Sequence, residues 1–227
     1  MPAHSQVPPR ALADAERSNA ATGGRLFVVA APSGAGKTSL VNAVLEREPH
    51  LRVCVSHTTR KPRRHERSGR EYHFVDESEF QRMVEAGEFL EWAQVFGNYY
   101  GTSRSALQAA FAEQCDVILE IDWQGAEQVR TAQPDCITVF VLPPSRAALA
   151  ERLRGRRTEA DAEIARRLAE AIVDIEHARE FEYVLINDQF ERAVDDLQRI
   201  LRGEAPDLGG PQRPAVQKLM AELLELP

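Results

Sequence analysis

The sequence is poor in cysteine, has no long apolar run and carries no excess of positive charge. Its three cysteines, Cys54, Cys115 and Cys136, lack metal-ligand spacing, so we expect buried free thiols in a reducing cytoplasm. No apolar run approaches membrane-spanning length, and the N-terminus lacks a signal-peptide core. The net charge of −7 disfavours a general nucleic-acid or membrane-surface role, so any basic site must be local.

The length of 227 residues, of which 43% are hydrophobic, is typical of one α/β domain. Residues 1–24 are rich in Ala, Ser and Pro without apolar periodicity, and they predict a disordered leader. Short apolar runs then alternate with helix-like segments, which predicts a parallel sheet covered by helices on both faces. We expect the strands of this sheet at residues 26–30, 52–56, 117–121, 137–142 and 183–186.

Residues 57–101 interrupt this alternation, so we predict an inserted substrate lobe there. Asp76 and Glu79 form a capping pattern for a helix that Gly87 closes. Residues 204–227 predict a linker and a C-terminal amphipathic helix of unknown use. The other local predictions are a basic loop at 57–70, strands at 71–75 and 89–96, a turn at 97–101, a helix after Ser103 and a long charged helix at 160–180.

The chain is organised around a phosphate-loop pattern between the first strand and the first helix. Residues 26–30 are apolar, residues 31–36 read Ala-Pro-Ser-Gly-Ala-Gly, and Lys37 opens a helix that Pro49 ends. The loop N–H groups and the helix dipole would attract phosphate. Lys37 can reach the terminal phosphates of a nucleotide, and the Thr38 hydroxyl can bind Mg²⁺.

The match to G-x-x-x-x-G-K-[ST] is incomplete, because Ala31 stands where the pattern has its first glycine. If that position needed a positive φ, alanine would resist it. The alternative interpretation is a flexible turn that happens to hold a lysine. The apolar strand before the loop and the helix after it favour the phosphate loop.

Five motifs carry a family resemblance: Ala-Pro-Ser-Gly-Ala-Gly-Lys-Thr at 31–38, Ser-His-Thr-Thr-Arg-Lys-Pro-Arg at 56–63, Gly-Asn-Tyr-Tyr-Gly-Thr at 97–102, Glu-Ile-Asp-Trp-Gln-Gly at 120–125 and Arg-Leu-Arg-Gly-Arg at 152–156. Together they resemble the guanylate kinase family, nucleoside monophosphate kinases that phosphorylate GMP from ATP. The similarity covers residues 24–203. Ala31 in place of glycine also occurs in proteins similar to this one.

The resemblance implies an α/β fold: a P-loop parallel sheet covered by helices, with an inserted GMP-binding lobe and a helical arginine lid. It implies a kinase-like domain at residues 25–203, with its core at 25–56, 102–150 and 181–203, the GMP-binding lobe at 57–101 and the lid at 151–180. ATP is then the co-substrate and Mg²⁺ the cofactor. The expected partners are the small molecules GMP and ATP, and the oligomeric state stays open.

The GMP phosphate needs a concentrated positive pocket with forked donors. Arg60 and Arg63 follow a predicted strand end and can supply such contacts. An isolated basic run would more simply be a solvated loop, but a net charge of −7 and a nearby phosphate loop favour a function. The resemblance adds Tyr72 and Tyr100 to the phosphate site, where core or hairpin packing is the alternative.

Guanine presents two adjacent donors and one acceptor, so its site needs a carboxylate and a hydroxyl or amide donor. The resemblance assigns the carboxylate to Glu91, the donors to Ser56 and Thr102, and further contacts to Glu66 and Asp122. Glu91 by itself would most simply be a solvent-facing strand residue. Asp122 stands at the carboxyl end of a buried strand, where doubly wound sheets bind ligands, and could serve GMP or a Mg²⁺-bound water.

Phosphoryl transfer needs positioning and charge neutralisation rather than a general base. The resemblance assigns these roles to Lys37 and to three lid arginines, Arg152, Arg156 and Arg167. A charged helix face paired with neighbouring acids is the alternative for each arginine. The ATP-binding residues implied are Ala31, Pro32, Ser33, Gly34, Ala35, Gly36, Lys37, Thr38 and Ser39, with Asn187 beside the adenine.

Two other functions are compatible with a phosphate loop. A catalytically silent guanylate-kinase-like module would bind protein partners, but it has no physical need for Lys37 and the lid arginines together. A phosphate-loop GTPase would need an Asn-Lys-x-Asp guanine motif, which this chain lacks.

Overall fold

The computed structural model describes residues 24–95, 97–154 and 161–225, with backbone only at 161–163. The leader predicted at 1–24 therefore lies outside the described residues except for Gly24. Phe96 and Arg156 also lie outside them, as do the last two residues of the chain, 226 and 227.

A five-stranded parallel sheet forms the centre of the molecule, as the alternating pattern predicts. Its strand order is β2-β7-β1-β8-β9, and every pair in it is parallel. The strands are β1 (Leu26–Ala30), β2 (Leu51–Val53), β7 (Asp116–Glu120), β8 (Ile137–Leu142) and β9 (Tyr183–Ile186). The central position of β1 places the phosphate loop, which follows β1, at the middle of the carboxyl edge of the sheet.

Helices cover both faces of this sheet. The side chains of β1 alternate between the two faces: Leu26 and Val28 pack on one side, Phe27 and Val29 on the other. Helices α1 (Lys37–Arg47) and α7 (Phe190–Arg202) cover the Phe27 face. The Val28 face is covered by α3 (Arg104–Ala112), α4 (Trp123–Ala132), α6 (Asp161–Glu176) and α8 (Pro214–Leu224).

Residues between β2 and α3 build a second, four-stranded sheet of order β4-β3-β6-β5. Its strands are β3 (His57–Thr58), β4 (His73–Phe74), β5 (Phe89–Val95) and β6 (Asn98–Ser103). Helix α2 (Glu77–Glu85) packs on it through Phe80, whose ring stacks on Phe89 at 4.6 Å and on Tyr99 at 5.4 Å. The Asp76 carboxylate accepts from the Glu79 N–H at 2.8 Å, as the capping pattern predicts.

The prediction of a turn over residues 97–101 is wrong. Val95 pairs with Asn98, so the chain reverses at Gly97, which has a φ of 76°. Tyr99 and Tyr100 lie in β6, where the Tyr99 ring stacks on Phe80 of α2 and the Tyr100 ring packs against Tyr72. Strand β6 also extends through Thr102 and Ser103, beyond the predicted lobe boundary at residue 101.

Several predicted element bounds also differ from the structure. The predicted strand 52–56 is shortened to Leu51–Val53, and the strand 71–75 is shortened to His73–Phe74. The charged helix ends at Glu176, and a 3₁₀ turn continues to Glu180. The segment predicted as a linker is packed: Gly209 bridges to Tyr183, and the Gly210 N–H donates to the Glu182 carbonyl at 2.7 Å.

Helix α6 joins two different hydrophobic clusters. Ile164 and Ala171 pack with Leu149 and Leu153 of α5 (Arg146–Arg154) in a small separate cluster. Ile175, further along α6, belongs to the main core together with the buried face of α8. The C-terminal helix of unknown use is therefore part of the core. Within residues 24–95, 97–154 and 161–225, no helix is both long and apolar enough to cross a lipid bilayer.

Candidate active site

The loop between β1 and α1 has the backbone geometry of a phosphate cradle. Gly34 and Gly36 have φ angles of 90° and 96°, which side chains with a Cβ rarely adopt. A Cβ on Gly36 would also lie 2.5 Å from the Asn187 Nδ2. Gln114 is the one non-glycine residue with a positive φ in the described part of the chain, so alanine is unstrained at Ala31.

Lys37, the first residue of α1, connects the loop to the end of β7. Its ammonium donates to the Ile121 carbonyl at 2.9 Å. Desolvation lowers the pKa of Lys37, and four carboxylates oppose this shift: Glu120, Asp122, Asp174 and Glu91. These acids come from β7, α4, α6 and β5, so the lysine lies where core, lobe and α6 meet.

Thr38 lies beside Glu120, an acid that belongs to the 120–125 motif but for which no role was predicted. Its hydroxyl donates to the Glu120 carboxylate at 2.9 Å. Both side chains offer hard oxygen ligands of the kind that Mg²⁺ prefers. Across the described residues, no three acidic, histidine or cysteine side chains converge as a metal cage. This donor set fits an ion that is held mainly by substrate phosphates and water. The position of Glu120 at the carboxyl end of β7 was the available signal.

Three predicted side chains contact the loop: the lid arginines Arg152 and Arg167, and Asn187 of the predicted ATP site. Arg152 donates at 3.1 Å to each of two carbonyls, those of Ala35 and Asn187. The buried Asn187 amide donates to the same Ala35 carbonyl at 2.7 Å. The Arg167 guanidinium donates to the Ser33 hydroxyl. Two of the three predicted lid arginines thus lie against the loop, and the third, Arg156, lies outside the described residues.

An open cavity of about 360 Å³ lies next to the loop. Its lining residues are Gly34, Gly36, Ser39, Arg152, Asn187, Asp188 and Phe190. Phe190 is 41% exposed, and the sequence patterns did not identify it, because it reads as an ordinary apolar residue at a helix start. An exposed aromatic ring beside a phosphate loop can stack on a planar base.

Glu66 binds two arginines of the basic loop. The Arg60 guanidinium donates to the Glu66 carboxylate at 2.9 Å, and the Arg63 N–H donates to it at 2.6 Å. Arg60 also lies over the ring of Tyr72, 5.4 Å from its centroid, and Tyr72 packs against Tyr100 at 5.8 Å. Burial raises the pKa of Tyr72 to about 12. Arg60 and Glu66 therefore belong to a packed cluster, whereas Arg63 and most of residues 61–70 are exposed.

The interpretation of Glu91 as a solvent-facing residue is wrong, because its side chain is only 3% exposed. Burial raises the pKa of the Glu91 carboxyl to about 7, although hydrogen bonds from Thr102 oppose the shift. One carboxylate oxygen, Oε1, has no hydrogen-bond partner among the described residues. The Thr102 hydroxyl lies 3.1 Å from the Ser56 hydroxyl, so the carboxylate and the two hydroxyls predicted for guanine lie in one buried patch, whereas Glu66 lies in the arginine cluster.

Asp122 caps α4, because its carboxylate accepts from the Gly125 N–H at 2.8 Å. The neighbouring Trp123 ring stacks on His177 at 3.4 Å, which joins the start of α4 to the end of α6. Burial raises the pKa of the Asp174 carboxyl to about 6, and its hydrogen bond with Trp123 opposes the shift. Asp174 was also missed by the sequence patterns, because it reads as one acid of a charged helix.

A glycine-rich phosphate loop after the central strand of a parallel sheet, with a lysine and a threonine opening the next helix, defines a P-loop nucleotide-binding protein. The family model for guanylate kinase matches residues 23–204. The chain belongs to the guanylate kinase family.

Curated relatives and a solved structure agree with this assignment. The chain is 54% identical over 181 residues to a guanylate kinase of Methylobacillus flagellatus, covering 80% of this chain and 90% of that protein. It is 51% identical over 201 residues to a guanylate kinase of Alkalilimnicola ehrlichii, covering 88% and 98%. The crystal structure of guanylate kinase from Anaplasma phagocytophilum superposes with a TM-score of 0.65 at 31% identity, covering 88% of this chain and 94% of that one.

Ionisation of Glu91 should destabilise the ligand-free protein as the pH rises. The folded state keeps the Glu91 proton up to about pH 7, whereas the unfolded state loses it above its ordinary pKa of 4.5. Relative to Glu91→Gln, the free energy of unfolding of the parent protein should therefore fall between about pH 5 and about pH 8, by up to about 3 kcal/mol. Urea unfolding of both proteins at both pH values measures this. If the difference in the free energy of unfolding between the two proteins is the same at both pH values, the raised pKa assigned to Glu91 is wrong.

Proposed function

We propose that this chain transfers the γ-phosphoryl group of ATP to GMP, giving ADP and GDP. The observation that carries this proposal is the juxtaposition of two features. The buried Glu91 carboxylate has an unpartnered oxygen, and its charge acts on Lys37 of the phosphate loop. The Glu91 carboxylate, which suits guanine, is thus close enough to the Lys37 ammonium, which suits phosphates, for their charges to interact.

Glu91 reads the guanine edge. Its ionised carboxylate accepts from guanine N1–H and N2–H₂, which supply the partners that Oε1 lacks. The hydroxyls of Ser56 and Thr102 donate to guanine O6. Adenine would place an unprotonated ring nitrogen against the carboxylate and a donor against the hydroxyls. The site therefore rejects AMP by leaving buried polar groups unpaired.

The arginine cluster of the lobe holds the GMP phosphate. Arg60 and Arg63 provide forked and charged donors, and Tyr72 and Tyr100 provide phenolic donors beside them. Glu66 keeps Arg60 in place by accepting its guanidinium hydrogen bond. The phosphate oxygen of GMP is already a nucleophile, so no general base is needed.

The loop residues 31–39 hold the ATP phosphates, and Lys37 neutralises charge on the transferring group. Arg152 and Arg167 already contact the loop, and Arg156 completes the arginine set by resemblance. Asn187 lies between the loop and the cavity, where the adenine binds. These roles make a catalytically silent binding module the weaker alternative.

Mg²⁺ is the proposed cofactor, held by Thr38 with substrate phosphates and water, and with Glu120 beside it. When bound, it supplies charge neutralisation to the β- and γ-phosphates.

The residues 57–101 and 151–180 act as the GMP-binding lobe and the lid. The packing of Ile175 in the main core limits lid motion to the part of α6 that precedes it. The three buried free thiols suit a reducing cytoplasm.

Lys37→Met should reduce turnover at least about 100-fold, because it removes a preorganised charge while keeping much of the side-chain volume. Lys218→Met, at an exposed position of α8, is the matched control and should retain parent activity. Steady-state ADP formation with GMP and ATP measures both variants. Turnover of Lys37→Met within tenfold of the parent protein would refute the role of Lys37.

Glu91→Gln and Arg60→Ala should separate base recognition from phosphate recognition. Glu91→Gln removes the charge and places a donor against guanine, so kcat/KM should fall for GMP far more than for AMP, from a preference that can reach about 10⁴-fold. Arg60→Ala should lower kcat/KM for both substrates alike, because both carry the same phosphate. If the GMP/AMP ratio of Glu91→Gln equals that of the parent protein, the guanine reader lies elsewhere.

A further inference from the structure

Gly125 is the third residue of α4, and its place in a helix needs an explanation. Its N–H donates to the Asp122 carboxylate at 2.8 Å, so its backbone takes part in the helix cap. Any residue other than proline can make this hydrogen bond. Glycine destabilises a helix by about 1 kcal/mol relative to alanine, and its φ is not positive. Neither the cap nor the backbone conformation therefore requires glycine here.

The space above Gly125 is occupied by the side chain of Glu91. A Cβ at residue 125 would lie 2.5 Å from the Glu91 Oε2 and 3.2 Å from its carboxyl carbon. It would also lie 3.3 Å from the Asp122 Oδ1. The first distance is too short for any real contact, so an alanine at this position would displace the Glu91 carboxylate.

The backbone of β5 cannot move away to relieve such a clash. On one side, Glu91 pairs with Thr102 of β6. On the other side, the Gln128 side chain clamps Trp92, the next residue of β5. Its amide donates to the Trp92 carbonyl at 2.8 Å, and its carbonyl accepts from the Trp92 N–H at 3.2 Å. Because β5 is held on both sides, any displacement falls on the Glu91 carboxylate itself.

We propose that Gly125 is a positioning residue for guanine specificity. The space that its missing Cβ leaves, which we call the seat, holds the Glu91 carboxylate and directs it toward the base. The seat leaves Oε2 against the start of α4 and Oε1 without a protein partner, free for a guanine donor. This inference rests on the proposed function, in which Glu91 reads guanine.

Gly125→Ala tests the seat, with Glu127→Ala at an exposed position of the same helix as the matched control. The substitution should lower kcat/KM for GMP by about 10- to 100-fold, mainly through KM, because a misplacement near 1 Å can cost about that much. The KM for ATP should stay within about twofold. The kcat/KM for inosine monophosphate, which lacks the 2-amino group, should fall less than the kcat/KM for GMP. The GMP/inosine monophosphate ratio of kcat/KM should therefore fall. Parent-like kinetics in Gly125→Ala would overturn the inference.

A double-mutant cycle with Glu91→Ala shows whether Gly125 acts through Glu91. In the Glu91→Ala background the seat is empty, so Gly125→Ala should change kcat/KM by less than about twofold. An equal loss in both backgrounds would overturn the inference and assign the effect to the helix. If Glu91→Ala alone leaves the GMP/inosine monophosphate ratio unchanged, the guanine reader of the proposed function fails, and the inference with it.

Thermal unfolding of the same proteins covers the case in which Gly125→Ala does not fold. A clash with Glu91 predicts that the double variant Glu91→Ala/Gly125→Ala folds even then. Failure of both Gly125→Ala and the double variant to fold would overturn the inference.

Discussion

The Lys37 ammonium is the interaction on which the rest of the site depends. It joins the phosphate loop to the end of β7 by donating to the Ile121 carbonyl, in a place where desolvation alone would favour the neutral amine. Carboxylates from β7, β5, α6 and the cap of α4 offset part of that cost, so the charge of the lysine acts on four elements at once.

In the proposed function, the two sheets recognise different parts of the nucleotides, the phosphates and the base. The parallel sheet offers backbone N–H groups at a loop, which suit any phosphate, whereas the smaller sheet buries one carboxylate, Glu91, which suits one base edge. Burying that carboxylate raises its pKa, and the donors of a guanine ring are what would lower it again. In the proposed function, guanine selectivity depends on a carboxyl group whose ionised form is destabilised by burial in the ligand-free protein.

Local signals predicted much of this molecule. The phosphate loop, the five parallel strands and the Asp76 cap all follow from patterns within a few residues, and each is present. The strand at Asn98–Ser103 was missed although it pairs with the adjacent β5, because Gly97, Asn98 and Gly101 are residue types typical of a turn. The packed segment after α7 was missed because its partner, Tyr183, is distant in sequence. The burial of Glu91 was missed for the same reason: only the packing of β5 against α4 encloses it. No pattern in the sequence relates Gly125 to a residue that stands 34 positions earlier.

The most direct test of this account is the choice of phosphoryl acceptor by the unmodified protein. A coupled assay of ADP formation, with ATP and Mg²⁺ and with GMP, AMP, CMP or UMP in turn, measures it. The account predicts rapid turnover with GMP and a kcat/KM for the other three that is lower by orders of magnitude, up to about 10⁴-fold for AMP. Comparable rates with GMP and AMP, or no turnover with GMP, would contradict it.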